Sequence, residues 1–171
     1  QSAQNLLEQL SGEKDRWEIQ VDEIKNNIKL LPYKSLLSAG YIIYTGQNDE
    51  KDREKKLNEW KQMLKDEHFS FTKFMVTESQ LLKWKTEGLP ADDLSMENAI
   101  MLRNNVKTPM ILDPATHATE WLKSTLQNEA HAVEFINRYD PKYTTKLEIS
   151  VRFGKVCIIE EVDGVDKMLF P

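Results

Sequence analysis

Apolar residues recur at alternating steps of three and four through the first 31 positions. Positions 3, 7, 10, 14, 17, 21, 24, 28 and 31 are Ala, Leu, Leu, Lys, Trp, Val, Ile, Ile and Leu, so eight of nine are apolar. This spacing keeps one seam along a helix and turns it toward a partner helix. At about 1.5 Å per residue the helix runs on the order of 45 Å. A long amphipathic helix packed on its own domain would give the same pattern. Leu7, Leu10, Trp17, Val21, Ile24, Ile28 and Leu31 are the candidate seam residues. Lys14 is the polar member, and Ser11-Gly12 weakens the helix interior beside it. No second heptad segment follows, so a coiled coil here requires a partner helix from elsewhere.

Pro32 is expected to end that helix or kink it sharply. Leu36 to Tyr44 (LLSAGYIIY) is apolar nearly all round and predicts a buried helix stopped by Gly46. Asp49 to Glu67 is highly charged but keeps Leu57, Trp60 and Leu64 on one stripe, which predicts a solvent-facing helix anchored by Trp60. Its charge run reads as a solvated face. Thr77 to Gln80 has capping-box spacing and opens a short helix that Gly88 terminates. Leu89-Pro90 makes a turn, and Ser95 is the expected N-cap of a helix over Met96 to Arg103.

From Pro109 the pattern changes. PMILD is strand-like, THATEWLKSTL is helical with Thr116 as candidate cap, and AHAVEFI is strand-like again. PKYTTKLEISVRF is helical, with Pro141 near its first turn and Gly154 past its end, and KVCIIEEV is a third strand. The order β-α-β-α-β is the grammar of a parallel sheet with crossover helices. The fold class expected is α/β: a long N-terminal helix and helical linker, then a partial P-loop-like sheet.

The break at Asp113-Pro114 changes this picture, because strand, tight turn and helix is where such sheets hold a phosphate on backbone N–H groups. A working phosphate loop carries glycines and a lysine. This turn reads Pro-Ala-Thr-His-Ala-Thr and has neither. Asp113 places negative charge where phosphate would lie, and Pro114 removes an N–H donor. Two crossovers on, Val156 to Glu161 has the shape of an acidic strand that holds magnesium, with Glu160 and Glu161 as candidate ligands. Buried strands also end in acids simply where they reach solvent. His68, His117 and His131 stand apart from any cysteine or acid at metal-ligand spacing, so no metal site is expected. Cys157 sits in a strand where a thiol serves as a small apolar residue.

Composition narrows the partners. A net charge of −5 argues against nucleic acid or anionic membrane. One cysteine excludes an internal disulfide framework and suits a reducing compartment. No apolar run approaches the roughly 18–20 residues of a membrane span. The first residues, QSAQNLLEQL, have neither a signal peptide nor an initiator methionine and read as a piece of something longer.

The residues also carry a resemblance. LSGEKDRWEIQV, with Leu10, Gly12-Glu13 and Arg16-Trp17, resembles the returning stalk helix of dynein heavy chains. WKTEGLPADDLSMENAI, Trp84 to Ile100, resembles the opening of that family's fifth AAA+ module. ILDPATHATEWLK is similar to the module's degenerate first motif, and LEISVRFGKVCIIEEVDGVDKMLFP to its second crossover and acidic strand. TESQLLKWKTEGLPADDLS and ATEWLK lean toward the intraflagellar-transport class, cytoplasmic dynein 2.

The resemblance implies residues 1–31 as the end of the stalk coiled coil, 32–76 as a helical linker and 77–171 as the first part of a degenerate AAA+ module. Asp113, Ala115, Thr116, His117, Ala118 and Thr119 would be the vestigial phosphate loop, and Glu160 and Glu161 the vestigial acidic strand. It implies no catalytic residue and no cofactor here, with ATP and magnesium at other modules of a microtubule-stimulated ATPase. The partners implied are the outgoing stalk helix and neighbouring modules, with the microtubule reached indirectly, in the cytoplasm and cilium. In the family the first and third strands are separated by a fourth, so an incomplete sheet is expected from this segment. Three functional readings stand: a non-hydrolysing structural relay between ring and stalk, an ATP-binding subunit using Glu160 or Glu161 with magnesium, and a coiled-coil interaction module fused to an α/β domain. The missing Gly-Lys-Thr favours the relay.

Overall fold

The computed structural model describes residues 2–64, 68–127, 132–164 and 169, with side chains from residue 12 onward except that of residue 64. The chain divides into two compact units, residues 1–81 with 91–110, and residues 82–90 with 111–171. The described residues are mostly helical with a small parallel sheet, consistent with part of an AAA-like domain.

The first unit is helical. α1 (Ser2–Tyr44) is a continuous helix of 43 residues. It runs through Pro32, so the boundary expected there is not a helix end. Pro32 removes the N–H that would bond to the Ile28 carbonyl, and Ile28 lies exposed, where water can satisfy that carbonyl. The last turns of α1 are sided rather than buried all round. Leu37, Ser38 and Tyr41 face inward, while Leu36, Ile43 and Tyr44 face solvent. α2 (Glu50–Leu64) buries Leu57 and sets the Trp60 ring against Gly40 of α1. α3 (Phe71–Met75) brings Phe71 to the Tyr41 ring at 4.5 Å between centroids. α5 (Asp93–Asn104) adds Met96, Ala99, Ile100 and Met101 to the same core. Its N-cap is Asp92, whose carboxylate accepts from the Ser95 N–H at 2.8 Å. Ser95 therefore lies inside the first turn, because the helix starts three residues earlier than its own cap signal suggests. α4 (Glu78–Thr86), which belongs to the second unit from residue 82 on, begins as the capping spacing predicts, the Gln80 N–H donating to Thr77 Oγ1 at 3.3 Å. It ends at Gly88, whose φ of +104° suits only glycine well.

The second unit holds α6 (His117–Gln127), β1 (Val133–Asn137), α7 (Tyr143–Arg152) and β2 (Val156–Glu160). β1 and β2 pair in parallel with Val133 opposite Val156 and Asn137 opposite Glu160. Ile136, Tyr143 and Leu147 form the core under this pair, with Cys157 and Ile159 packed against it. One of the two β-α-β steps expected from the sequence is thus present. The other is not: residues 109–112 form no strand, and Leu112 is 87% exposed. An extended segment gains a ladder only from a neighbour, and among the described residues none pairs with Met110 to Leu112. These side chains consequently face solvent.

Candidate functional site

The turn that leads into α6 is closed by Asp113. Its Oδ2 accepts from the Thr119 backbone N–H and from the Thr119 hydroxyl, both at 2.8 Å. The Asp113 carbonyl accepts from the Thr116 N–H at 3.2 Å, which tightens the turn. Burial alone would push the Asp113 carboxyl up, but the Thr119 backbone and hydroxyl bonds, with the Ala118 N–H, hold it below its ordinary value. Thr116, expected to cap the helix, instead donates its hydroxyl to the Ala115 carbonyl at 2.7 Å. Its φ is +61°, a left-handed conformation that disfavours a β-branched side chain. Three residues before the N-cap position, Asp113 supplies the cap because the left-handed step at Thr116 swings the first N–H groups of α6 back toward it. The chain's own carboxylate thus sits where backbone N–H groups and the helix dipole would receive an anion.

The acidic strand is tied to the same helix. Lys123 Nζ lies 2.7 Å from Glu160 Oε1 and 5.2 Å from the centre of the Phe135 ring. Thr119 and Lys123 are one turn apart on α6, so that helix engages Asp113 at its start and Glu160 further along. Glu161 is not brought in beside Glu160. Its φ of +60° carries the chain out of the strand, and its side chain is exposed. Ala115 and His117 are exposed, Ala118 is half-buried, and His68 is exposed; His131 lies outside the described residues. Behind the turn, Trp121 is 1% exposed and meets Trp84 edge-on at 5.7 Å, while its indole N–H has no acceptor among the described residues.

The candidate seam of α1 is open. Trp17 is 62% exposed, and Val21, Ile24, Ile28 and Leu31 are exposed with it. Ion pairs flank it, Lys14–Glu18 at 3.6 Å and Asp22–Lys25 at 3.5 Å. The side chains of Leu7 and Leu10 lie outside those described.

One cluster escaped sequence reasoning. Arg53 lies within the charge run of α2 but is only 5% exposed, and Tyr41 donates its hydroxyl to Glu97 Oε2 at 2.7 Å. Burial, then the Glu97 hydrogen bond, pushes the Tyr41 hydroxyl up; burial also pushes the Glu97 carboxyl up, against the opposing pull of Tyr41 and Arg53. The available signal was position: Arg53 and Leu57 are four apart and share the face that carries Trp60's stripe.

Residues 82–171 match the family described as the ATP-binding dynein motor region. The cytoplasmic dynein 2 heavy chain 1 of Chlamydomonas reinhardtii is 45% identical over 171 residues, covering 99% of this chain and 4% of its own length. The Mus musculus protein of that name is 43% identical over 170 residues, with the same coverage of 99% and 4%. The Homo sapiens protein is 43% identical over 163 residues, covering 95% of this chain and 4% of its own length. The chain therefore spans about 4% of the length of these relatives. With the motor-region match over more than half of its residues, and the likeness to cytoplasmic dynein 2 heavy chains over nearly all of them, the chain belongs to the dynein motor-region family.

Proposed function

We propose that this segment is a non-hydrolysing relay within a dynein-type motor heavy chain, coupling the AAA+ ring to the microtubule-binding stalk. One observation carries the reading: Asp113 holds the N-terminus of α6 through two 2.8 Å bonds to Thr119. These residues do not fit a nucleotide phosphate. The anion position is filled by a carboxylate, the turn has no lysine, and Glu160 is paired with Lys123. The family's description as ATP-binding then refers, for this heavy chain, to other modules, which would hold ATP and magnesium in a microtubule-stimulated ATPase. The exposed seam of Trp17, Val21, Ile24, Ile28 and Leu31 supports the stalk half of the proposal, since such a stripe suits a second, outgoing helix. The relatives' names support cytoplasmic dynein work; the resemblance of the stalk and fifth-module motifs extends it to intraflagellar transport in the cilium, with neighbouring modules of the same chain as direct partners.

Calorimetric titration of this chain with Mg-ATP tests the reading and should give no heat of binding. A dissociation constant below about 100 μM, lost on Glu160→Gln, would favour the ATP-binding reading instead. In the full-length motor, Glu160→Gln and Glu161→Gln should leave microtubule-stimulated turnover within about two-fold of wild type, because neither side chain would touch a nucleotide. The reading of a coiled-coil interaction module on an α/β domain rests on the same exposed seam. It differs in requiring a separate protein at Trp17, which photo-cross-linking from that position would identify.

A further inference from the structure

The end of α1 is held by a cation from a different helix. α1 carries no basic residue in its last turn, where unpaired carbonyls and the negative end of the helix dipole gather. Arg53 of α2 supplies the missing charge. Its Nε donates to the Thr45 and Asn48 carbonyls, each at 3.0 Å, and its Nη2 to the Gly46 carbonyl at 3.1 Å. The remaining arm, Nη1, donates to Asn98 Oδ1 on α5 at 2.7 Å. One residue before Asn98, Glu97 takes the Tyr41 hydroxyl, so α1 and α5 are joined twice within one turn of each. The Thr45 hydroxyl donates to the Tyr41 carbonyl at 2.6 Å, and the Thr45 carbonyl accepts both the Asn48 N–H at 2.9 Å and the guanidinium. Only a rigid fork reaches three carbonyls and an amide together; a lysine ammonium, a point charge on a flexible stem, cannot span them.

We infer that Arg53 is a positioning residue that fixes the axial and rotational setting of the α1 end against α5, so that a displacement of α1 is passed on to α5. The inference rests on the relay reading and names the joint through which that relay would act. Two registers of a helix seam transmit nothing if the helix end frays or turns freely on its neighbours. The arm to Asn98 is the part that converts a helix cap into a joint. Asn98 is exposed, so removing its amide breaks the link between Arg53 and α5 while leaving the core, the three carbonyl bonds and the Tyr41–Glu97 bond in place.

The test uses the full-length heavy chain, with basal and microtubule-stimulated ATPase measured beside thermal melting of the same preparations. Asn98→Ala and Arg53→Lys should each lower the ratio of stimulated to basal turnover about five-fold or more, the low end of a typical coupling energy, with basal turnover unchanged. Asn98→Ala should lower the melting temperature much less than Arg53→Lys, which also loses carbonyl bonds, and so separates lost coupling from lost fold. Asn98→Asp, which keeps the acceptor, should restore the ratio. If Asn98→Ala preserves the ratio within two-fold while Arg53→Lys merely lowers the melting temperature, Arg53 is a helix cap and the inference is overturned. That outcome leaves the relay reading standing, whereas Mg-ATP binding at this segment would remove the relay reading itself.

Discussion

Replacing Asp113 with alanine isolates what the carboxylate does at the start of α6. The substitution deletes two hydrogen bonds of 2.8 Å and the negative charge that faces the helix N-terminus. Loss of a capping side chain costs about 0.5–2 kcal/mol, and loss of a favourable charge at that end a further ~0.3–1 kcal/mol. The half-buried Thr119 hydroxyl can turn to water, so no large penalty for a stranded donor is added. A total of about 0.8–3 kcal/mol follows for the unit that contains the turn. Urea unfolding followed by tryptophan emission reads it, in a Trp17→Phe, Trp60→Phe background where Trp84 and Trp121 of that unit are the reporters. The pH dependence gives a second check. The folded Asp113 carboxyl lies below its ordinary value of 3.8, so its stabilisation is present above 3.8 and is lost as pH falls through the lower folded value. The gap between wild type and Asp113→Ala should therefore be constant near neutrality and close in acid. A gap below about 0.5 kcal/mol at neutral pH, the range of an unremarkable surface change, would refute the capping role. So would a gap that persists unchanged in acid.

Trp121→Ala should destabilise the same unit by about 3–5 kcal/mol, whereas Trp121→Phe should cost far less, since it keeps a ring against Trp84 and deletes the N–H that has no acceptor among the described residues; urea midpoints of the two variants decide this. Thr116→Gly should stabilise by about 0.5–1 kcal/mol by relieving the left-handed strain at φ +61°, and a loss of stability in differential scanning calorimetry would contradict it. Trp17→Ala should change the stability of this chain by less than about 0.5 kcal/mol, because the ring already faces solvent. The same substitution in the full-length motor should weaken microtubule binding measured by co-sedimentation if an outgoing helix covers the seam there.

Local signals were enough for the parts of this molecule that depend on neighbours along the chain. The heptad spacing from Trp17 to Leu31 specifies a helix with one apolar stripe, and that stripe is present on α1. Thr77 and the glycines at 88 and 154 mark element ends through their own caps and positive φ angles. The apolar runs around Ile136 and Ile159 specify strands, and β1 and β2 formed because each found the other. The break at Asp113-Pro114 marks a turn before α6, and a turn is what stands there. Tertiary structure decided whatever depends on what lies opposite in space. Met110 to Leu112 has the composition of a strand but no neighbour to bond, so it stays irregular and exposed. Leu36 to Tyr44 is apolar on all sides, and only packing against α2, α3 and α5 selects which side is buried. Pro32 looks like a stop, yet the carbonyl it leaves unpaired lies at an exposed residue, open to water, and the helix continues. Arg53 is one charge among many in α2 until the end of α1 arrives beside it. Asp113 outcompetes Thr116 as the cap because a left-handed step, set by the closed turn, brings Thr119 within reach. Periodicity and caps are properties of consecutive residues and are written in the chain, whereas a hydrogen-bond partner or a buried face is chosen only when distant segments meet.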